Sequence, residues 1–434
     1  MLKNIIALSF LTCVSYSQTL QESLEEVLQT NPTIQERLQN YNATKQDITN
    51  AKSGYYPSLD LKLGAGQEKI ERQYTTTDYS AYETSLNYTQ NIFNGFGTTA
   101  LVEGQEYRAV AAAYSYVEKV NATSSELVNT YLEAMKNEEL LKTAQENVAI
   151  DQEIFNKVKK LYKAGLTTLS EVKKIESSLA LAKSNLVVQE NTLLNASYNL
   201  EKVLGHTLDA SAMQKPNLDN VNFPQSQEEA LAFAFKHNPS LLANEYNLKV
   251  AKATNKENKA KYYPKIDLDI SQAYNHNVSG IKGKDDEFRA MAYLSYNIFN
   301  GFSDQSSIEK SYSQIQQQFE NKRSVKREIV QSLKLSWAAQ EKLQEQLIHL
   351  QEYKKFSNKT LILYSKEYDL GRRSLLDLLS AQNDFIRSKA QIITTQYSIL
   401  NAKYKILNTM GVLVTSIMQD NKVVYSKVDL SGEK

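Results

Sequence analysis

The chain is an internal duplication, because three short sequences recur in the same order about 206 residues apart. The repeated sequences are Asn31-Pro32 as Asn238-Pro239, Tyr55-Tyr56-Pro57 as Tyr262-Tyr263-Pro264, and Asn91–Phe96 as Asn297–Phe302. Such a repeat requires each half to form a similar structural unit. Function is therefore expected where the two halves meet.

Two long runs of the chain contain almost no residues that break helices. Within residues 105–204 the only glycine is Gly165, within residues 302–410 it is Gly371, and neither run contains a proline. A turn at each lone glycine predicts two long helical hairpins. The first helix, over residues 98–163, would extend roughly 100 Å at 1.5 Å per residue.

Apolar residues within these runs follow a helical repeat. In the first run they recur at intervals of seven: Val120, Leu127, Ala134, Leu141, Val148, Phe155 and Tyr162. In the second they all fall on one series of positions whose steps alternate between three and four residues: Ile329, Leu333, Leu343, Leu347, Leu350, Leu361, Tyr364 and Tyr368. A sustained repeat of this kind predicts left-handed supercoiling against partner helices, and it would fit any coiled coil.

Four shorter segments instead alternate between apolar and polar residues. They are residues 59–63, 82–92, 266–270 and 288–298, the last with the weakest alternation. Segments of about ten residues with one apolar side are typical of membrane β-barrel strands. A soluble hairpin lying on a helix would show the same pattern. Polar, outward-facing loops are predicted at about residues 65–80 and 275–287.

Aromatic residues favour the membrane interpretation. They cluster at one end of each strand hairpin, as an interfacial girdle does: Tyr55, Tyr56, Phe93, Phe96, Tyr262, Tyr263, Phe299 and Phe302. Four strands cannot close a barrel, and an open edge in lipid costs several kcal/mol per unpaired group. The chain must therefore oligomerise. Three copies would leave a lumen, whereas two would fill their own interior.

The amino terminus, residues 1–17, is predicted to be a signal peptide. Lys3 precedes an apolar stretch, and Ser15 and Ser17 are the small residues that a signal peptidase reads before Gln18. Cys13 is the only cysteine, so the mature chain would contain none.

Other functional classes are disfavoured. The net charge of +1 offers no basic field for nucleic acid. The four histidines have no metal-ligand spacing, and no arrangement of nucleophile and base is visible. We expect no enzymatic activity and no cofactor.

The duplicated hairpins and repeated motifs resemble the TolC-like outer-membrane efflux protein family. The resemblance implies a mainly α fold with β structure. Duplicated long antiparallel coiled-coil helices would form a periplasmic α-barrel, and four β-strands per chain would contribute to a trimeric twelve-stranded outer-membrane β-barrel. It also implies a homotrimer in the cell outer membrane, in contact with outer-membrane lipid and extending into the periplasm. Its partners would be a periplasmic adaptor (membrane fusion) protein and an inner-membrane pump of the ABC or RND type.

On this basis the chain divides into five parts. They are a signal peptide at 1–17, a first repeat at 18–205, an inter-repeat segment at 206–227, a second repeat at 228–411 and a tail at 412–434.

The resemblance also implies a gate at the helical tips. Counted from the tip glycines, Tyr368 and Glu171 would form a linked pair, and Arg373 would bind near the backbone of Ser170. The alternatives are core packing for Tyr368 and ordinary solvated charges for Glu171 and Arg373.

A charged ring at the same tips is a further implication. Asp377 would point into the channel and form a ring of three carboxylates. The family often has a second acidic ring three residues on, where this chain has Ser380.

Two questions of function stay open at this point. A structural or adhesive envelope coiled coil would need no pore, and it is the rival class. Within the channel class, small-molecule efflux and type I protein secretion differ by the partner pump. The tight Asn-Gly-Phe strand exits slightly favour secretion.

Overall fold

The computed structural model describes residues 18–218, 221, 223–419 and 422–431. The predicted signal peptide lies outside these described residues. The first series of elements comprises α1 (Leu20–Thr30), α2 (Pro32–Lys52), β1 (Ser58–Arg72), β2 (Thr75–Asn94), α3 (Gly97–Lys163) and α4 (Leu169–Leu204). The second comprises α5 (Gln227–His237), α6 (Pro239–Lys259), β3 (Lys265–His276), β4 (Lys284–Ser295), α7 (Ser303–Asp369) and α8 (Leu375–Met410). Two short helices, α9 (Leu413–Met418) and α10 (Lys422–Tyr425), follow.

The two series match in helix length. Helices α3 and α7 have 67 residues each, and α4 and α8 have 36 each. The predicted helical hairpins are confirmed, with Gly165 and Gly371 at their turns in the left-handed region, at φ 73° and 70°. Glycine adopts this conformation without steric cost, and it lets the chain reverse within a few residues.

The buried face of α3 departs from the predicted stripe in its second half. Val120, Leu127 and Ala134 are buried, and Phe155 is half-buried against an apolar cluster, whereas Tyr162, beside the turn, is exposed and departs from the predicted stripe. The residues buried instead are Thr143, Asp151, Ile154 and Val158. The neighbouring helices determine this face: Ile154 and Val158 pack in one apolar cluster with residues of α4, α7 and α8. In α7, all eight residues of the predicted ladder are buried or half-buried.

The four strands form one antiparallel sheet in the order β1-β2-β3-β4. Leu86 lies between Leu61 and Gln272, and the next residue, Asn87, lies between Asp60 and Ser271. Directly opposed residues share a face of a sheet, so the predicted alternation is confirmed. The apolar face carries Leu59, Leu61, Leu63, Tyr82, Leu86, Tyr88, Leu268, Ile270, Ala290 and Leu294.

The predicted strand ends need correction. The first loop is only residues 73–74, because pairing continues to Arg72 and resumes at Thr75. The second loop is residues 277–283, and β4 ends at Ser295 rather than at Ile298. Polarity alone does not mark a loop, because backbone pairing in a two-stranded ribbon needs no apolar face.

The Asn-Gly-Phe exits of both repeats form the same turn. Gly95 and Phe96 have φ of 67°, and Gly301 and Phe302 have φ of 56° and 64°. A phenylalanine in the left-handed region is strained and needs support from its surroundings. Phe93 packs edge-on against Phe96 at 5.2 Å between ring centroids, and Phe299 against Phe302 at 5.4 Å.

The chain divides into two compact units that cut across the repeats. The tip unit holds the described residues up to Gln35, with Glu118–Asn238 and Glu328–Val424. The strand unit holds Glu36–Val117, Pro239–Arg327 and the chain from Tyr425 onward. Among the described helices, none has a stretch long and apolar enough to cross a membrane.

Candidate functional site at the helical tips

The two tips begin their return helices in the same way. Thr168 caps α4 by accepting a hydrogen bond from the backbone N–H of Glu171 at 3.4 Å. Ser374 caps α8 by accepting one from Asp377 at 3.2 Å. Hydroxyl caps and carboxylates in the first turn both stabilise a helix start. Glu171 and Asp377 therefore occupy equivalent positions of the duplicated tip.

An apolar cluster joins the four helices that form the two long hairpins. It contains Ile154, Val158, Val172, Ile175, Tyr368, Leu375, Leu378 and Leu379, all buried. These residues come from α3, α4, α7 and α8, so the two hairpins pack on one another near their turns. The cluster holds the polar tip residues in place.

Tyr368 and Glu171, the pair that the resemblance implies, are in contact within the single chain. The Tyr368 hydroxyl donates to Glu171 Oε2 over a long 3.5 Å, and the Thr167 hydroxyl donates to the same oxygen. Burial raises the pKa of Tyr368 to about 12, and the Glu171 carboxylate adds to the effect. The phenol therefore stays protonated and remains a donor at neutral pH. Tyr368 therefore both contacts Glu171 and packs in the core, because its ring lies in the apolar cluster.

Arg373 has a different partner from the predicted one. Its Nε donates to Glu367 Oε2 at 2.9 Å, and its guanidinium lies 4.1 Å from the centre of the Tyr364 ring. Within the chain, the predicted contact to the backbone of Ser170 is replaced by this pair. The reason is proximity, since Glu367 lies on the last turn of α7, six residues before Arg373.

Asp377 is engaged at its own helix start. Its Oδ2 accepts a hydrogen bond from the Ser374 hydroxyl at 2.8 Å. The carboxylate is half-buried, and Ser380 is exposed one turn further along α8. A ring of three carboxylates needs three chains, so this residue's channel role stays a prediction.

The sequence did not predict the polar links between the hairpins, two of which lie near the tips. Lys157 of α3 forms an ion pair with Asp369 of α7. Asp151 of α3, only 2% exposed, accepts hydrogen bonds from Gln382 Nε2 at 2.7 Å and Ser178 Oγ at 3.1 Å. A signal for Asp151 existed, because it is a lone carboxylate three residues after Val148 on the apolar repeat. Lys157 and Asp369 gave no such signal.

Asp151 should make the stability of the tips depend on pH. Burial raises the pKa of its carboxyl above the usual value, against the opposing effect of the Gln382 and Ser178 hydrogen bonds. The folded chain then binds a proton at higher pH than the unfolded chain, whose carboxyl titrates at about 3.9. Stability should therefore rise as pH falls from neutral through the folded-state pKa, and level off below about 3.9.

We expect Asp151→Asn to remove this pH dependence and to change stability at neutral pH by no more than about 1 kcal/mol. The measurement is the midpoint of the thermal transition as a function of pH. Glu153→Gln, an exposed carboxylate of the same helix, is the control and should keep the native profile. A native profile in Asp151→Asn would contradict the assignment.

No group of three or more histidine, cysteine, aspartate or glutamate residues that could hold a metal ion occurs in the described part of the chain. The polar groups at the two adjoining helical turns include the carboxylates of Glu171 and Asp377, the Tyr368 hydroxyl and the Arg373 guanidinium. Such an arrangement can form and break polar links between coils.

Comparison with known proteins identifies the family. The model of the outer membrane efflux protein family matches residues 23–206 and 231–412. The chain belongs to this family. The two matched ranges follow the two repeats, and the resemblance inferred from the sequence is confirmed.

Two curated relatives and one solved structure illustrate the similarity of this efflux family member. The outer membrane efflux protein BepC of Brucella suis is 22% identical over 388 residues, covering 88% of this chain and 82% of BepC. The outer membrane protein TolC of Escherichia coli is 20% identical over 423 residues, covering 94% and 85%. The Campylobacter jejuni CmeC outer membrane channel has the same fold, with a TM-score of 0.82 at 13% identity over 95% of this chain and 90% of CmeC.

The protein is accordingly an outer-membrane channel of the class that serves efflux or type I secretion. Its family and fold are those of non-enzymatic channel proteins.

Proposed function

We propose that the protein is the homotrimeric exit duct of a tripartite export system. It carries cargo from an inner-membrane pump of the ABC or RND type, through a periplasmic adaptor, across the outer membrane. The observation that carries the proposal is the sheet, which has one apolar face, one polar face and two unpaired outer edges, β1 and β4.

Oligomerisation follows from these edges. In lipid, each unpaired backbone group costs several kcal/mol, so β1 and β4 must pair with strands of other subunits. Three copies supply twelve strands, enough to close a barrel around a lumen. The apolar face then contacts lipid, and the polar face lines the pore.

The strand exits offer a second argument for a ring. In the first repeat, Gly95 is so close to the second repeat that a Cβ there would lie 2.4 Å from the Ala260 carbonyl oxygen. Phe96 packs against Tyr263 at 6.1 Å between ring centroids. This contact joins the Asn-Gly-Phe exit of one repeat to the Tyr-Tyr-Pro corner of the other.

The equivalent exit of the second repeat is uncovered. A Cβ at Gly301 would meet no described atom within 4 Å, and Phe302 is 69% exposed. The matching corner of the first repeat is also open, with Tyr56 71% exposed. A neighbouring subunit that brings its Tyr56 corner to Phe302 repeats the internal contact and propagates the ring.

The exposed aromatic residues at these exits support placement at a membrane interface. The rings of Tyr55, Tyr56, Phe96, Tyr262, Tyr263, Phe299 and Phe302 are all largely exposed in the single chain. Aromatic side chains are enriched at that level of outer-membrane barrels.

The tips fit a docking and gating role. Four leucines at the turns are exposed: Leu166, Leu169, Leu370 and Leu376. Apolar side chains at a tip suit the adaptor as a partner. The polar links of Tyr368, Glu171 and Arg373 would hold the inner end closed, and three copies of Asp377 would line it. The pump determines whether the cargo is a small molecule or a secreted protein.

The subunit number tests the proposal. We expect protein extracted in mild detergent from outer membranes to have the mass of three chains, measured by native mass spectrometry. A monomer or a dimer in outer-membrane extracts would contradict the twelve-stranded barrel.

A further inference from the structure

The end of the sheet away from the helices carries a loop that folds back onto a neighbouring ribbon. Strands β1 and β2 pair without interruption up to their shared turn, whereas β3 pairs with β2 only from Tyr82 onward. Residues 66–81 therefore continue beyond β3 and β4 as a two-stranded segment, which we call the outer ribbon. The loop at residues 277–283, the outer loop, lies against this ribbon.

Two charged residues of the ribbon bind the backbone of the outer loop. The Glu68 carboxylate accepts hydrogen bonds from the backbone N–H groups of Ser279, at 3.1 Å, and Gly280, at 2.8 Å. Arg72 Nη2 donates to the Ser279 carbonyl oxygen at 3.3 Å. Hydrogen bonds to an ionised group are stronger than those between neutral groups. Glu68 is therefore the main anchor of the loop.

The outer loop is also shaped for this contact. Asn277 Nδ2 donates to the Ser80 carbonyl oxygen at 3.1 Å, and its Oδ1 accepts from the Gly283 N–H at 2.8 Å. Gly280 has a φ of 79°, and a Cβ there would lie 3.3 Å from Ile70 Cδ1. Only glycine adopts this backbone conformation readily while approaching the ribbon so closely. The fold of the loop is thus specific to its docked position.

The docked loop lies on the polar face of the sheet. Successive residues of a strand point to opposite faces, and the pairing of β1 with β2 has no register shift. Glu68 and Arg72 therefore share a face with Asp60 and Lys62. Tyr79, opposite Glu68, lies on the same face, with the Lys282 ammonium 5.9 Å from its ring centre.

We propose that the outer loop is a lid over the extracellular mouth of the channel, and that Glu68 and Arg72 are its positioning residues. This rests on the proposed function, in which the polar face lines the pore. One loop from each subunit then projects over the lumen side of its ribbon. The three loops together limit the size of the solutes that enter from outside.

Access of maleimides to a cysteine in the lumen tests the lid. Ser85→Cys places the reporter on the polar face, between Lys62 and Ala273. Cys13, the only natural cysteine, lies in the predicted signal peptide. A small maleimide and a bulky polyethylene-glycol maleimide are applied to whole cells, and the labelling rates are compared.

We expect Glu68→Ala to raise the labelling rate by the bulky reagent, relative to the small one, by at least about tenfold, because it removes both charge-assisted hydrogen bonds from the loop backbone and the loss of one already corresponds to about a factor of ten. The matched control is Glu71→Ala, because Glu71 lies on the opposite face of the same ribbon and pairs with Lys69 at 2.7 Å. This control should label like the reporter alone.

Equal rates for the bulky reagent in all three backgrounds would overturn the lid and leave the pore intact. A reporter that even the small maleimide cannot reach in any background would overturn the lumen assignment itself, and the lid with it.

Discussion

Leu86→Arg is expected to prevent assembly of the channel, whereas Asn87→Arg, one residue further along the same strand, is expected to be tolerated. Leu86 lies between Leu61 and Gln272 on the apolar face. An arginine on the lipid face near the middle of the bilayer costs about 2–4 kcal/mol, and the proposed homotrimer would carry that cost in each subunit. The summed cost is comparable to the whole stability of many domains.

Asn87 is a matched control, because its side chain shares the polar face with Asp60 and Ser271. An arginine there would remain in the aqueous lumen. The measurement is the amount of heat-resistant trimer in outer-membrane fractions by gel electrophoresis without boiling. Equal amounts for both variants would mean that the two faces are wrongly assigned.

The combined change Tyr368→Phe and Arg373→Ser is expected to raise single-channel conductance severalfold without loss of the trimer. The first change removes the hydroxyl that bonds to Glu171, and the second removes the ion pair with Glu367 and the stacking on Tyr364. Both contacts lie beside the tip turns. The Tyr368 bond joins α7 to α4, and the Arg373 contacts hold the adjoining turn, so losing them loosens the tip while the apolar cluster keeps the helices folded.

The same hairpin also supplies a matched control for each of the two substitutions. The Tyr353 hydroxyl donates to Asp384 Oδ1 at 3.2 Å, a bond of the same type as Tyr368 to Glu171. Arg372 is the exposed neighbour of Arg373. Tyr353→Phe combined with Arg372→Ser should keep the native conductance. A doubly substituted tip with native conductance would remove Tyr368 and Arg373 from the gate.

The long elements of the fold were predictable because their signals are periodic or repeated. Lone glycines at 165 and 371 marked the hairpin turns, and alternation identified both faces of the sheet. The repeat of seven did not identify Ile154 and Val158 of α3, because these residues are buried by packing against the other tip helices, which the sequence of α3 alone does not specify.

The tip contacts were only partly predictable, for a different physical reason. The pair of Tyr368 and Glu171 follows from positions relative to two turns. Arg373 can reach several acceptors from its long side chain, and the nearest, Glu367, lies on its own hairpin. Sequence spacing does not rank such competing partners. The sequence predicts a loop at this place but gives no signal for its docking, because the anchor, Glu68, lies about 210 residues away in the chain.

Ion conduction by the purified native protein tests the central claim most directly. The protein, confirmed as a trimer in detergent, is added to one side of a planar lipid bilayer at fixed voltage. A water-filled lumen predicts discrete, uniform current steps, each from one inserted trimer. Stable insertion of the trimer without any current steps would contradict it, and would favour an envelope coiled coil without a pore.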